Sequence, residues 1–162
     1  MAGLGVSERP TIGQWVGKGE AATRILLVDD HAVFRQALGL ALGREPDLVV
    51  VGGAGTVDEA LRCLRNPIDV AVVDWDLPDG TGAEVIRALH AARRGSEALL
   101  LTASADQRDL GEAIRADAAA VLHKTAPLER IVAAVRGLGA GEHINDPAEL
   151  VRLMREAMTQ QD

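Results

Sequence analysis

An aspartate that closes an apolar run and opens directly into a tight polar turn is the best-equipped position for chemistry in this chain. The run is Asp69-Val70-Ala71-Val72-Val73-Asp74, and the turn is Trp75-Asp76-Leu77-Pro78-Asp79-Gly80-Thr81-Gly82. In α/β chains, ligands gather at the carboxyl ends of the strands. Three further apolar runs end in groups that complement Asp74. Arg24 to Val28 leads into Asp29-Asp30, Ala98 to Leu101 into Thr102-Ala103, and Ala119 to Leu122 into His123-Lys124. Three acids, a hydroxyl and a lysine on one sheet edge suit the metal-assisted phosphorylation of an aspartate.

The residue types fit the demands of that reaction. Three carboxylates within a few ångströms repel one another by about 4 kcal/mol per pair at 4 Å and an effective dielectric near 20. A hard divalent cation relieves this, and Mg²⁺ suits oxygen ligands while keeping several waters. Asp30 is the expected direct ligand, Asp29 an outer or water-mediated one, and the Asp76 carbonyl completes the shell beside Asp74. Lys124 neutralises a phosphoryl group as a point charge, and Thr102 donates a hydrogen bond to it. Taken singly, an acid after a strand is a helix cap, a strand-end threonine a turn residue, and a lysine a solvated charge. Here all of them fall at the ends of the expected strands.

The elements that must hold these groups alternate along the chain. Apolar runs recur at 24–28, 48–53, 69–73, 97–101 and 119–122, continuous as in parallel strands buried on both faces. Helical periods lie between them. Residues 32–43 place Val33, Phe34, Ala37, Leu38 and Ala41 on one side, and 57–65 follow a capping box at Thr56 and Glu59. Residues 83–92 carry Val85, Ile86 and Leu89, and 106–116 carry Leu110, Ala113 and Ile114. Residues 127–138 begin at Pro127, a good first helical residue. Five βα units predict a doubly wound, five-stranded parallel sheet of flavodoxin-like order 2-1-3-4-5, with strands 1 and 3 side by side. Residues 1–23 read as a flexible N-terminal arm, 24–140 as the domain, and 141–162 as a linker and helix. That last helix, capped at Asp146, either packs on its own domain or serves as a dimerisation element. Gly52-Gly53-Ala54-Gly55 lacks a dinucleotide fingerprint or a phosphate-loop lysine and reads as a tight turn.

Composition removes other classes. At 162 residues and 48% hydrophobic content the chain is long enough for one well-formed core. A formal net charge of −7 argues against nucleic-acid contact by this segment itself. The lone Cys63 leaves no internal disulfide and is expected in or near the core. No apolar run reaches the roughly 18 residues of a membrane span, and residues 1–22 lack a signal-peptide apolar region, so a cytoplasmic location is expected. His31, His90, His123 and His143 have no metal-ligand spacing, although His31 falls beside the acid pocket.

This constellation resembles the receiver domain of two-component response regulators. Val28-Asp29-Asp30-His31, the turn Asp74 to Gly82, Thr102-Ala103 and Lys124-Thr125 resemble the NarL/LuxR-type subgroup over roughly residues 24–140. The resemblance implies a histidine kinase that phosphorylates Asp74 with Mg²⁺, and backbone N–H groups of Trp75 and Ala103 that help hold the phosphate. It implies Thr102 as the switch hydroxyl, and a response on the helix 4–strand 5–helix 5 face or the helix 1–helix 5 surface, where the chain dimerises or releases an output domain. Asp76 and Ser104 are placed to set the phosphoryl lifetime. Three positions depart from the pattern. Val121 stands where receivers commonly carry an aromatic, Asp117 and Ala120 stand at the usual glycines, and Thr125 replaces a common proline. Such regulators usually continue into a helix-turn-helix domain that contacts DNA, so a truncated chain is expected. A receiver-shaped interaction module that needs no phosphorylation is the alternative. A haloacid-dehalogenase-type phosphatase fits poorly, because Asp74-Trp75-Asp76 lies on the third strand and not the first. The expectation is therefore a phosphoacceptor and not a classical enzyme.

Overall fold

Strands with no polar interruption must be covered on both faces, and this chain does so with the helices of its crossovers and its last helix. The computed structural model describes residues 22–93, 95–103, 107–142 and 155, with the side chains of 107–110 excepted. The elements are β1 (Thr23–Val28), α1 (Ala32–Gly43), β2 (Leu48–Ala54), α2 (Val57–Cys63), β3 (Val70–Asp74), β4 (Asp76–Leu77), β5 (Gly80–Thr81), α3 (Gly82–Ala92), β6 (Glu97–Thr102), α4 (Gln107–Arg115), β7 (Ala120–His123) and α5 (Leu128–Gly139). Five parallel strands form one sheet of order β2-β1-β3-β6-β7. This is the expected 2-1-3-4-5 order. The two extra numbers belong to β4 and β5, a two-residue antiparallel pair in the turn after Asp74.

Alternation along the strands separates two cores. Leu26, Val28, Ala71, Val73, Leu100 and Val121 face one side with residues of α2, α3 and α4. Ile25, Leu27, Val70, Val72, Leu99 and Leu101 face the other with α1 and α5. Full burial of each large aliphatic side chain contributes about 1.5–3 kcal/mol relative to exposure. The sheet therefore supplies a rigid floor, and the strand ends inherit its precision. Gly82 permits the close approach of α3 to that floor: a β-carbon there would lie 2.7 Å from the Asp74 carbonyl oxygen.

Several sequence expectations change in detail. Val33 is 81% exposed and Ile114 48% exposed, so neither joins the core. The buried stripe of α1 runs through Leu38 and Leu42 with Phe34 partly covered, which rotates Val33 outward. Gly52 and Gly53 lie inside β2 and make no turn. A β-carbon on Gly52 would sit 3.3 Å from Leu26 and 3.6 Å from the Cys63 sulfur, so close packing accounts for that glycine. Cys63 is partly buried against the α2-side core, as expected. Pro127 precedes α5 as its N-cap, with an extended ψ, and is not its first residue. The Thr56 side chain accepts from the Glu59 N–H, which is the expected half of the capping box. Asp117 adopts a left-handed φ of 67°, and its carbonyl meets His90 Nε2 at 2.9 Å. A short polar side chain tolerates that conformation better than most. The arm before residue 22, Ser104, His143, the Leu110 side chain and, apart from Arg155, the helix expected beyond 146 lie outside the described residues.

Candidate functional site

The parallel register delivers four strand ends to one edge. β1 and β3 are adjacent, so Asp29 and Asp30, just past Val28, stand beside Asp74, the last residue of β3. On the other side of β3, Asp74 pairs with Leu101, which puts Thr102 one residue further on, and Thr102 in turn pairs with His123 next to Lys124. Asp29, Asp74 and Thr102 are buried. Asp30 is the more exposed member of the acid pair.

Lys124 knits the pocket together. Its Nζ donates to Asp29 Oδ1 at 3.0 Å and to Asp74 Oδ2 at 3.0 Å, and it lies 2.8 Å from Asp29 Oδ2. It also sits 5.0 Å above the Phe34 ring, a cation–π contact. Burial lowers the lysine's affinity for its proton, but the bonds to Asp29 and Asp74 outweigh it and leave the pKa above the ordinary lysine value. Burial raises the Asp74 pKa, the Asp29 charge adds to this, and Lys124 and the Asp76 backbone N–H pull against it.

The donor set fits a divalent cation. Asp29, Asp30, His31 and Asp74 each offer one ligand atom, all within 4.8 Å of one another. Asp29 Oδ2 is buried with no hydrogen bond aimed at it among the described residues, although the ammonium stands close. The ammonium thus occupies the position of a cation among hard oxygen donors, which is where Mg²⁺ would be held.

Asp29, Asp30, Asp74 and Lys124 converge as expected, and Thr102 and Ala103 border them on the neighbouring strand end. The Trp75 amide does not face the pocket. It donates to the Leu101 carbonyl at 2.9 Å and extends the β3–β6 ladder, while the amide that reaches the Asp74 carboxylate is that of Asp76. Val121 is buried in β7 on the α4 side. Two supports were not evident from spacing. Arg35 Nη1 donates to the Asp29 carbonyl, lying along a channel kept open by Gly53 and Gly55. Asp79, at the tip of the turn, accepts from the N–H groups of Val57 at 2.7 Å and Asp58 at 3.1 Å. Those bonds hold its carboxyl below the ordinary carboxylate value.

A parallel sheet of this order, with an acid pocket at its carboxyl edge bridged by a lysine, defines a receiver-type fold. The chain belongs to the response regulator receiver domain family, which it matches over residues 25–136. It is similar to the DNA-binding transcriptional activator DevR/DosR of Mycobacterium tuberculosis, 38% identical over 143 residues, covering 86% of this chain and 66% of that protein. Among solved structures it resembles a LuxR-family two-component response regulator from Aurantimonas sp. SI85-9A1, with TM-score 0.73, 27% identity and coverage of 85% and 99%. It also resembles the signal receiver domain of the response regulator NarL from Mycobacterium tuberculosis, with TM-score 0.70, 30% identity and coverage of 75% and 98%. The receiver is thus of the NarL/LuxR type. The chain spans 66% and 55% of the lengths of the first two curated relatives it matches. No helix among the described residues is long and apolar enough to cross a membrane.

Proposed function

We propose that Asp74 accepts a phosphoryl group from a histidine kinase in a Mg²⁺-dependent step. The observation that carries this reading is the burial of Asp74 at the end of β3, bonded to Lys124 and within the shared donor set of Asp29 and Asp30. An Asp74 carboxylate oxygen attacks phosphorus, the bond from phosphorus to the donor imidazole nitrogen breaks, and its electron pair returns to that nitrogen. A bound divalent cation would supply charge neutralisation for the phosphoryl oxygens and the crowded carboxylates. Asp29, Asp30, Asp74 and the Asp76 carbonyl would hold it. Lys124 transfers its contact from the carboxylates to the phosphoryl oxygens. Thr102 donates to one of those oxygens, and the Asp76 and Ala103 amides line the same side.

The added charge of about −1.5 to −2 draws Thr102 and Lys124 inward and biases an existing equilibrium of the α4–β7–α5 face. That face, or the α1–α5 surface, then forms a homodimer or releases an output domain that contacts DNA, in the cytoplasm. Residues 24–140 suffice for the chemistry, with 141–162 as the connection. Buried Val121 favours a second reading at the output step alone, because a branched aliphatic has no large in–out rotation with which to report on Thr102. On that reading, partner affinity is independent of phosphorylation.

Intact-mass analysis after incubation with acetyl phosphate and Mg²⁺ tests the first reading. One phosphoryl adduct is expected, absent in Asp74→Asn and without Mg²⁺. A folded protein that binds Mg²⁺ and gains no adduct overturns it. Size-exclusion chromatography of the same samples separates the two output readings.

A further inference from the structure

The acid pocket contains a nitrogen donor as well as oxygens. His31 directly follows the acid pair and is the N-cap of α1, with an extended ψ of 97°. Its Nδ1 turns inward, 3.1 Å from Asp29 Oδ1, 3.4 Å from Asp30 Oδ1 and 4.0 Å from Asp74 Oδ2. The same atom lies 2.7 Å from the Lys124 ammonium. His31 Nδ1 therefore faces the same ammonium that Asp29 and Asp74 hold.

The backbone fixes this orientation. The His31 N–H donates to Asp29 Oδ1 at 2.8 Å, and the His31 carbonyl accepts from the Arg35 N–H at 3.0 Å to start α1. The ring is thus tied from one side by the carboxylate it would share a metal with. Its outer part is solvent-exposed, so the pocket is open to incoming ions.

An all-oxygen pocket suits Mg²⁺. Adding an imidazole shifts preference toward zinc and similar first-row ions, which gain from nitrogen ligation where Mg²⁺ gains little. Three carboxylates and one imidazole also make four protein donors, the number that closes a tetrahedral zinc site. A site closed in this way leaves no position for a phosphoryl oxygen.

We propose that His31 is a specificity-determining metal ligand, through which the pocket binds Zn²⁺ in competition with Mg²⁺ and is then closed to phosphoryl transfer. This rests on the reading of Asp29, Asp30 and Asp74 as the metal pocket.

The full chain carrying Trp15→Phe is titrated with Mg²⁺ and with Zn²⁺, following the emission of Trp75 beside Asp74. Zn²⁺ is then added to Mg²⁺-saturated protein. Zn²⁺ is expected to displace Mg²⁺, and His31→Ala and His31→Gln are expected to weaken Zn²⁺ at least about tenfold more than Mg²⁺. With Co²⁺ in place of Zn²⁺, the visible ligand-field spectrum is expected to change in both variants as nitrogen is lost. Equal weakening of both ions, or an unchanged ratio and an unchanged Co²⁺ spectrum, overturns the proposal. A variant that still binds Mg²⁺ is folded, so misfolding cannot imitate the expected result. Acetyl phosphate labelling of the parent with Mg²⁺ alone runs alongside. Its failure overturns the reading of Asp74, whereas labelling with an unchanged metal ratio overturns only the role of His31.

Discussion

Among the described residues, Lys124 is the lysine or arginine against which the two buried carboxylates of Asp29 and Asp74 are balanced. Removing one partner of such a group leaves uncompensated charge, which costs about 3 kcal/mol or more when fully buried. Lys124→Met is therefore expected to lower stability by about that amount in metal-free buffer, and Mg²⁺ is expected to restore a larger share in the variant than in the parent. Urea melts with and without Mg²⁺ measure both; equal Mg²⁺ stabilisation of the two proteins contradicts the balance. Asp29, Asp30, Asp74 and Lys124 were readable from the sequence because each ends or follows an apolar run, and strand ends share an edge. The Asp76 amide was not, because which of two successive N–H groups turns into the pocket depends on how far the β3–β6 ladder continues. Arg35 was also hidden, since its channel exists only where Gly53 and Gly55 come to lie beside α1.

At the scale of elements, the turn after Asp74 is tied to a neighbouring helix. Asp79 caps α2 from outside its own segment, while Thr56 caps it from within. Asp79→Ala is expected to lower the melting temperature modestly, as for loss of an N-cap. Faster hydrogen exchange at the Val57 and Asp58 amides is the accompanying sign, and unchanged exchange there would exclude the cap. Nothing in the spacing announced this bond, because it joins residues more than twenty positions apart. The helices themselves were legible to within a few residues: α1 spans 32–43 as the period required. Val33 was misjudged because a 3.6-residue period tolerates a wide stripe, and only packing against β1 decides which margin is covered. The β4–β5 pair was too short for periodicity to detect.

At the scale of the molecule, the end of the sheet away from the pocket is held by a second charge cluster. Asp69 accepts from the Arg24 backbone and side chain and lies 3.3 Å from Arg93. Burial acts to raise its pKa, but Arg24 and Arg93 outweigh this and hold the carboxyl below its ordinary value of 3.8. A depressed folded-state value means that the group stabilises the fold fully above 3.8 and loses that contribution as pH falls through the folded-state value. Asp69→Asn is expected to melt below the parent at neutral pH and to approach it in acid below 3.8; a pH-independent gap contradicts the linkage. The sheet order was legible because five βα units with right-handed crossovers allow few arrangements. The charge clusters at its two poles were legible only in part, since Arg24 and Asp69 reveal their pairing only after β1 and β3 are placed side by side.

The close approach of Gly139 to Thr23, where a β-carbon would fall 2.6 Å from Oγ1, places the exit of the domain against its entrance. Both doorways lie at the pole opposite Asp74, across the length of β3, about 17 Å at roughly 3.3 Å per residue. The screening length of physiological salt is about 8 Å. Whatever is joined at those doorways in solvent stands some two screening lengths from Asp74 and feels little of its field. News of a changed charge at Asp74 must reach that pole as displacement of packed elements.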